Sequence, residues 1–363
     1  MRSLALPLAK KFAVSYFQIS ARSPVAIDGV ECLTPRLLSD PYGHMELPAV
    51  LDRSAPDVFL ACHDAHVLAE LARIVREHRS HTRVMLYIAF EWAEMSGGTV
   101  AGLNCADDLV CYTDTARTWL AARLGPGGRH INVIPHGLDL RAFGPITPAG
   151  AVTRARVDSS EARSRARRLL GLPDNRLLIL NANRDTPRKR LSVTLDAFSE
   201  IAPSFPGVDL VLTHGEEFGD YVRDHGISSR VIVPSKTPDD TGLNLYYNAS
   251  DIGMNTCTGE GWGLVAMEHA AAGAAQVMPD HPALREIWKQ QAVFVECSPS
   301  HVPGYGLSAA GDHATALAGL LRDAERRKHY GDEARKLVSS PEFSWESVSW
   351  RWATLIEAGA PLG

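Results

Sequence analysis

Two carboxylates bracket a run of glycines in "CTGEGWGLVAMEHAAAGAAQVMPDH", residues 257–281. Glu260 and Glu268 stand eight residues apart, with Gly259, Gly261 and Gly263 around the first and an apolar, helix-patterned run leading to the second. Glycines at a helix entrance let the backbone approach a ligand closely and adopt dihedrals that other residues avoid. The first-turn amides of such a helix have no intrahelical acceptor, and the macrodipole adds partial positive charge. The entrance therefore suits an anion such as phosphate, held by the amides of Gly261, Trp262, Gly263 and Leu264. Helical side chains lean toward the N-terminus, so Glu268 reaches back to the same entrance. A carboxylate repels phosphate in direct contact but accepts hydrogen bonds from hydroxyls beside it, and a ribose diol fits. Glu260, ahead of the helix, faces a second set of hydroxyls. The same spacing also describes a plain capped helix with two incidental glutamates.

A basic loop shifts that balance. In "NANRDTPRKR", residues 181–190, Arg184 and Lys189 follow a strand and precede a helix, with Pro187 stiffening the loop between them. Two cations at a strand's carboxyl end can clamp a diphosphate, Arg as a fork and Lys as a point charge. The glycine-rich entrance and the basic loop make complementary demands on one ligand carrying phosphates and hydroxyls. A nucleotide sugar meets both.

The elements that must position these groups alternate along the chain. Short apolar segments, "PDVFLAC" (56–62), "TRVMLYIAF" (82–90), "DDLVCYT" (107–113) and "HINVIPH" (130–136), are separated by helical patterns such as "AHVLAELARIVREH" (65–78). Alternating strands and helices give parallel sheets, and near-continuous apolar strands are covered on both faces. The pattern breaks near residue 145 and resumes with "RLLILNAN" (176–183), "VDLVLTH" (208–214), "SRVIVPS" (229–235) and "DIGMNT" (251–256). The predicted fold class is α/β, with two doubly wound, Rossmann-like domains. Residues 1–145 form the first, 146–172 a basic linker and 173–340 the second. Residues 341–363 form a C-terminal helix packing back on the first domain. Such domains bind ligands outside the carboxyl ends of their strands. The region 313–338 reads as one last helical stretch of the second domain, and the three tryptophans of "SWESVSWRWATLIEAG" (344–359) read as packing.

Composition narrows the function classes. The 363 residues are 45% hydrophobic and 22% charged with a net charge of −5, the balance of a soluble globular protein and not of a general polyanion binder. No apolar run approaches a membrane span, and "MRSLALPLAKKF" lacks a signal-peptide core, so a cytoplasmic protein is expected. The six cysteines form no CxxC pair and read as reduced thiols. The adjacent pairs Asp239–Asp240 and Asp107–Asp108 fit helix starts or turns better than a divalent-ion site. In the first domain, "CHDAH" (62–66) places His63 and Asp64 at a strand's carboxyl end, as candidates to face a sugar or an acceptor hydroxyl; Asp64 also reads as a helix cap. Glu91, in "FEW" (90–92), is a candidate of the same kind, and His136 reads equally as a loop histidine or as a catalytic group. His63 with His66 lacks the further ligands that a zinc site needs.

On these residues the second domain resembles the retaining GT-B glycosyltransferases of family 4. The family's E-x7-E element is similar to Glu260 to Glu268, and its phosphate-binding Arg and Lys match Arg184 and Lys189; the glycine that usually follows the lysine is Arg190 here. "VIPHGLDLRAF" (133–143) resembles the segment closing the family's first domain, and "LYYNASDIGMNT" (245–256) the strand leading into the acidic element. The resemblance covers residues 107–143 and 176–290. It is weak before residue 55, where the family's glycine-rich acceptor-side loop is missing. The wording looks nearest to a divergent branch that includes enzymes of phage and large viruses. The resemblance implies a retaining, metal-independent hexosyltransferase without cofactor, taking a nucleotide-diphosphate sugar, a UDP-sugar as first choice. It further implies attack and departure on one face of the sugar. The acceptor stays open among a small molecule, a glycan and modified DNA. Two further readings are a DNA-modifying enzyme acting on hydroxymethylated pyrimidines and a catalytically silent protein that still binds nucleotide sugars.

Residues 151–190 hold eleven cations against four anions, a local charge of +7. Part serves the phosphates. The rest reads as a solvated helix face, with steering of a polyanionic acceptor as the other reading.

Overall fold

The computed structural model describes residues 2–19, 26–34, 39–90, 95–125, 130–153, 159–302 and 304–359. Two compact units emerge, Met1–Gly137 together with Pro341–Gly363, and Leu138–Ser340. The boundary falls at residue 137 rather than near 145.

In the first unit, β1 (Ser15–Phe17) and β2 (Glu31–Leu33) form a parallel pair. The main sheet is β3 (Val58–His63), β4 (Arg83–Ile88), β5 (Asp108–Cys111) and β6 (Ile131–Val133), parallel and in sequence order. The helix Ala65–His78 turns Val67, Leu68, Leu71, Ala72 and Val75 inward, the spacing of an amphipathic helix, against Val84, Leu86 and Ile88 of β4. The core strand β4 is sealed on both faces, which is why its run is apolar without alternation. Asp107 and Asp108 are strand-edge anchors. Asp107 accepts from the amide of Val84 and from Arg76, and Asp108 pairs with Arg83.

The C-terminal helix Trp345–Ala358 belongs to this unit. Trp352 is fully buried edge-on against Tyr87, and Arg83 donates to the carbonyls of Leu355 and Ile356. Trp345 packs on His136, and a side chain at Gly137 would collide with its indole. Reading all three tryptophans as packing needs correction, because Trp350 is 69% exposed. Its place in the helix turns it away from the side that carries Trp345 and Trp352.

The second unit holds a six-stranded parallel sheet of β7 (Leu177–Asn181), β8 (Val208–Leu212), β9 (Val231–Ile232), β10 (Ile252–Met254), β11 (Ala275–Pro279) and β12 (Val293–Val295). The order is β12-β11-β10-β7-β8-β9, so the winding direction reverses between β7 and β10. At such a point the loops leaving the two neighbouring strands diverge and open a crevice at their carboxyl ends. A short antiparallel pair, β13 (Ser298–Pro299) with β14 (Gly306–Leu307), follows the sheet. The helical stretch 313–338 is two helices, Ala310–Arg322 and Ala324–Val338, divided where Asp323 caps the second by accepting from the amide of Arg326.

The segment read as a linker is built into this unit. The helix Ser159–Leu170 buries Ala162 and Ala166 beside Tyr247 and Ala249. Two of its arginines turn inward as well, whereas Arg168 is exposed. Arg167 donates to Asp251 at 2.7 Å and to the carbonyl of Ala249, while Arg163 lies 3.1 Å from the other oxygen of Asp251. Arg176 pairs with Asp209. Part of the local positive charge is therefore neutralised by carboxylates from outside the segment, while Arg168 and Arg184 stay exposed to solvent. Arg154, Arg156 and Asp158 lie outside the described residues.

Candidate active site

The sheet of the second unit brings the two loops singled out above to adjacent strand ends. The loop after β7 runs through a single 3-10 turn, Pro187–Lys189, and enters the helix Leu191–Ile201. The loop after β10 reaches the helix Leu264–Ala271 through Gly263. Gly263 has φ +83°, and an added Cβ would lie 3.2 Å from Leu284 and 3.5 Å from Glu260. Glycine is favoured here by its left-handed dihedral, and a side chain would also press on Leu284. Arg190, where the resembled family carries glycine, is also left-handed, with φ 48°. Its guanidinium donates to the carbonyl of Ser308 at 3.0 Å, a contact that helps hold an arginine in a conformation glycine would adopt without strain.

Hydrogen bonds stitch the loops together. The amide of Thr258 donates to the carbonyl of Arg188 at 2.9 Å, and the Thr256 hydroxyl lies 2.8 Å from the carbonyl of Lys189. Asn181, buried at the end of β7, donates to Thr194 and accepts from the amide and side chain of Asn183. Arg188 donates to the carbonyl of Gly259 at 2.7 Å. Lys189 pairs directly with Glu260, with Arg188 at 3.5 Å from the other carboxylate oxygen. Glu260 is buried. Burial opposes its charge, but Lys189 and Arg188 outweigh that and hold the carboxyl below its ordinary range.

Glu268 sits in a different electrostatic setting. Burial raises its carboxyl to about 7, with Asp240 adding in the same direction and a hydrogen bond from the Tyr247 hydroxyl opposing at 2.9 Å. The two glutamates of one motif thus differ in character, one a fully charged member of an ion pair, the other titrating near neutrality. Arg184 is exposed on its loop, Trp262 is buried and Leu264 is 37% exposed. The structure therefore joins Lys189 to Glu260 and places Gly261–Leu264 between Glu260 and Glu268, while Arg184 stands apart from these pairs.

Three residues that sequence reasoning passed over belong to this assembly. Arg188 was hidden in a run of four residues, three of them cations, whose individual directions only the fold decides. Tyr247 sits within the segment singled out for its resemblance, but its hydroxyl partner lies 21 residues on. His281, buried after β11, donates to the carbonyl of Gly304 at 2.8 Å, and burial depresses its imidazole so that it stays neutral.

In the first unit, His63 and Asp64 lie at the carboxyl end of β3. Asp64 occupies the N-cap position of the helix Ala65–His78 without a side-chain cap bond, so its half-exposed carboxylate is not spent on capping. The His63 Nδ1 accepts from the amide of Asp64 at 2.8 Å, which leaves the proton on Nε2; burial lowers its pKa. Tyr42 stands edge-on to both His63 and His66. Glu91 lies outside the described residues. His136 is half-buried among Tyr87, Tyr112 and Trp345, with a pKa pulled down to about 4 by the desolvation of its ring. Among the described residues no group of three or more His, Cys, Asp or Glu is arranged to hold a metal ion, and no helix is long and apolar enough to cross a membrane.

Residues 162–337 match the family described as Glycosyl transferases group 1. The D-inositol 3-phosphate glycosyltransferase of Corynebacterium kroppenstedtii is 30% identical over 265 residues, 69% of this chain and 53% of that protein. The phosphatidyl-myo-inositol mannosyltransferase of Mycobacterium tuberculosis is 29% identical over 262 residues, 70% of this chain and 60% of that one. The chain spans little more than half the length of these relatives. Among solved structures, a sucrose-phosphate synthase from Thermosynechococcus elongatus superposes with a TM-score of 0.76 at 18% identity, covering 98% of this chain and 92% of its own. Anabaena HepE, solved with UDP and glucose, gives 0.72 at 17% identity over 98% and 94%. The chain therefore has the GT-B fold, and its residues 162–337 carry a domain of the glycosyl transferases group 1 family.

Proposed function

We propose that this protein is a glycosyltransferase that moves a sugar from a nucleotide-diphosphate sugar to an acceptor hydroxyl, with retention and without a metal ion. The observation that carries the reading is the junction of two loops at the switch point of one sheet. A basic loop and a glycine-entered helix are bonded to each other there, with Glu260 and Glu268 on either side of the helix entrance. In this reading the diphosphate lies on the first-turn amides of Gly261 to Leu264, with Arg184 and Lys189 supplying positive charge. The same groups stabilise the leaving diphosphate as the glycosidic bond breaks, the largest contribution expected of such a site. Glu268 accepts from the ribose diol. Glu260 accepts from sugar hydroxyls while still tied to Lys189, so the lysine is shared between carboxylate and phosphate.

The pairing of Glu260 bears on stereochemistry. A buried carboxylate neutralised by a lysine is a poor nucleophile, because its charge is already compensated. Departure of the diphosphate and attack by the acceptor on the same face of the sugar account for retention without a covalent intermediate. His63, with its proton on Nε2, and Asp64 are the first-unit candidates to bind a sugar or acceptor hydroxyl, together with Glu91. The similarity to inositol-phosphate and phosphatidylinositol glycosyltransferases supports a hydroxyl acceptor of polyol type, and the nucleotide-bound neighbour supports a UDP-sugar as donor.

Titration calorimetry with nucleotide sugars tests the donor site. Glu268→Ala is expected to weaken binding by roughly 1.5–3 kcal/mol, the value of a charge-assisted hydrogen bond. Unchanged affinity would remove Glu268 from the site. A thermal-shift screen of UDP, GDP, ADP and dTDP sugars identifies the base, since a ligand that binds only the folded state raises its stability.

A further inference from the structure

Tyr247 lies in the last turn of the helix Asp240–Ala249, fully buried, with its ring held edge-on by Phe143 at 5.9 Å and stacked on His269 at 5.3 Å. Its hydroxyl is 2.9 Å from Glu268 Oε2. Burial raises the phenol well above its ordinary value, so the hydroxyl keeps its proton and is the donor in this bond. We propose that Tyr247 is a positioning residue of the donor site, its hydroxyl biasing Glu268 toward the carboxylate and aiming it at the helix entrance. This rests on the reading of Glu268 as the ribose ligand.

The physical argument is one of competing environments. Glu268 is pushed toward neutrality by burial and by Asp240 at the start of the tyrosine's own helix. The groups packed around it offer little to offset this. His269 is neutral, with a pKa near 3 because of burial, and β10 and β11 carry no titratable side chain. From the neighbouring helix Ala324–Val338, Arg335 lies against Gly273, beyond the far end of the helix bearing Glu268. The Tyr247 hydrogen bond is what favours the carboxylate. A protonated Glu268 would present a donor where a ribose diol also presents donors. One bond from Tyr247 occupies part of Oε2 and leaves Oε1 for the ligand, fixing which oxygen faces the entrance. A rigid, stacked ring achieves this without the rotamer freedom of a lysine or arginine partner.

The test compares wild type, Tyr247→Phe and Glu268→Gln. Phenylalanine keeps the ring and its packing and removes only the hydroxyl. With 13C-carboxyl-labelled glutamate, the Glu268 resonance is identified by its loss in Glu268→Gln and titrated by NMR. The Tyr247→Phe midpoint is expected to move to higher pH by about one unit, the size of shift a single hydrogen bond to a carboxylate supports. UDP-glucose serves as the binding probe, because its diphosphate does not titrate in this window. Its affinity for Tyr247→Phe is expected to fall about five-fold at pH 7, as a one-unit shift implies, and to recover by pH 9. Coincident midpoints in wild type and Tyr247→Phe would overturn the proposal. Weak binding by Glu268→Gln with unaltered binding by Tyr247→Phe would also overturn it, while leaving the ribose reading standing. Wild-type affinity in both variants would remove the ribose reading and the proposal with it.

Discussion

Replacing Lys189 by methionine tests the join between the two loops. Glu260 is 6% exposed and the Lys189 side chain 12%, so the pair is removed from water on both sides. Removing one partner of a buried pair costs roughly 3–5 kcal/mol, because the other charge stays buried without compensation. Arg188, 3.5 Å from the other carboxylate oxygen, retains part of the interaction, so about 2–3 kcal/mol is expected here. The sign of the pH dependence discriminates further. In the wild type the folded carboxyl lies below its unfolded value. Its contribution is therefore complete above the unfolded pKa and lost only as pH falls through the folded one. Between pH 5 and 8 the Glu260 contribution is flat. In Lys189→Met, burial dominates and raises the folded carboxyl above the unfolded value. The folded state then holds a proton that the unfolded chain has released, and stability falls as pH rises through this range. Urea titration read by hydrogen exchange on peptides covering β7 and β10 isolates the second unit. The double variant Lys189→Met with Glu260→Gln is expected to regain much of the loss, since it leaves no buried charge. A single variant within about 0.5 kcal/mol of wild type, with no pH slope from this group, would refute the argument.

Two further expectations follow from the backbone and the buried charges. Gly263→Ala forces a side chain into φ +83° beside Leu284 and Glu260, so a loss of about 1–2 kcal/mol and a drop in donor affinity are expected by thermal shift and calorimetry; unchanged melting would contradict the left-handed cap. Arg167→Met leaves the buried Asp251 with Arg163 and the amide of Leu178, and is expected to destabilise the second unit by about 3 kcal/mol; Arg167→Met combined with Asp251→Asn tests whether the uncompensated carboxylate is the cause.

The apolar rhythm of this chain determined the α/β class and the parallel sheets, because strands sealed on both faces read as unbroken runs and the helices between them as one-sided patterns. Glu260, Glu268, Lys189 and the glycines were legible for a similar reason. A helix entrance that bends through a left-handed residue demands glycine at a fixed place, and charges placed beside it stand out from an apolar background. The regions before residue 55 and around 146–172 were less legible. Among the described residues their strands are short or absent, and helix Ser159–Leu170 carries arginines that a one-dimensional count reads as solvated. Only the tertiary structure showed that Arg163 and Arg167 turn inward to Asp251, a carboxylate from a different part of the sheet. It likewise decided that Lys189 binds Glu260 and that Tyr247 binds Glu268, setting two glutamates of one motif in opposite electrostatic environments. Residue types and spacing specify which groups a loop carries; the partners that set their charge come from strands and helices far away in sequence, and long-range packing alone brings them within reach.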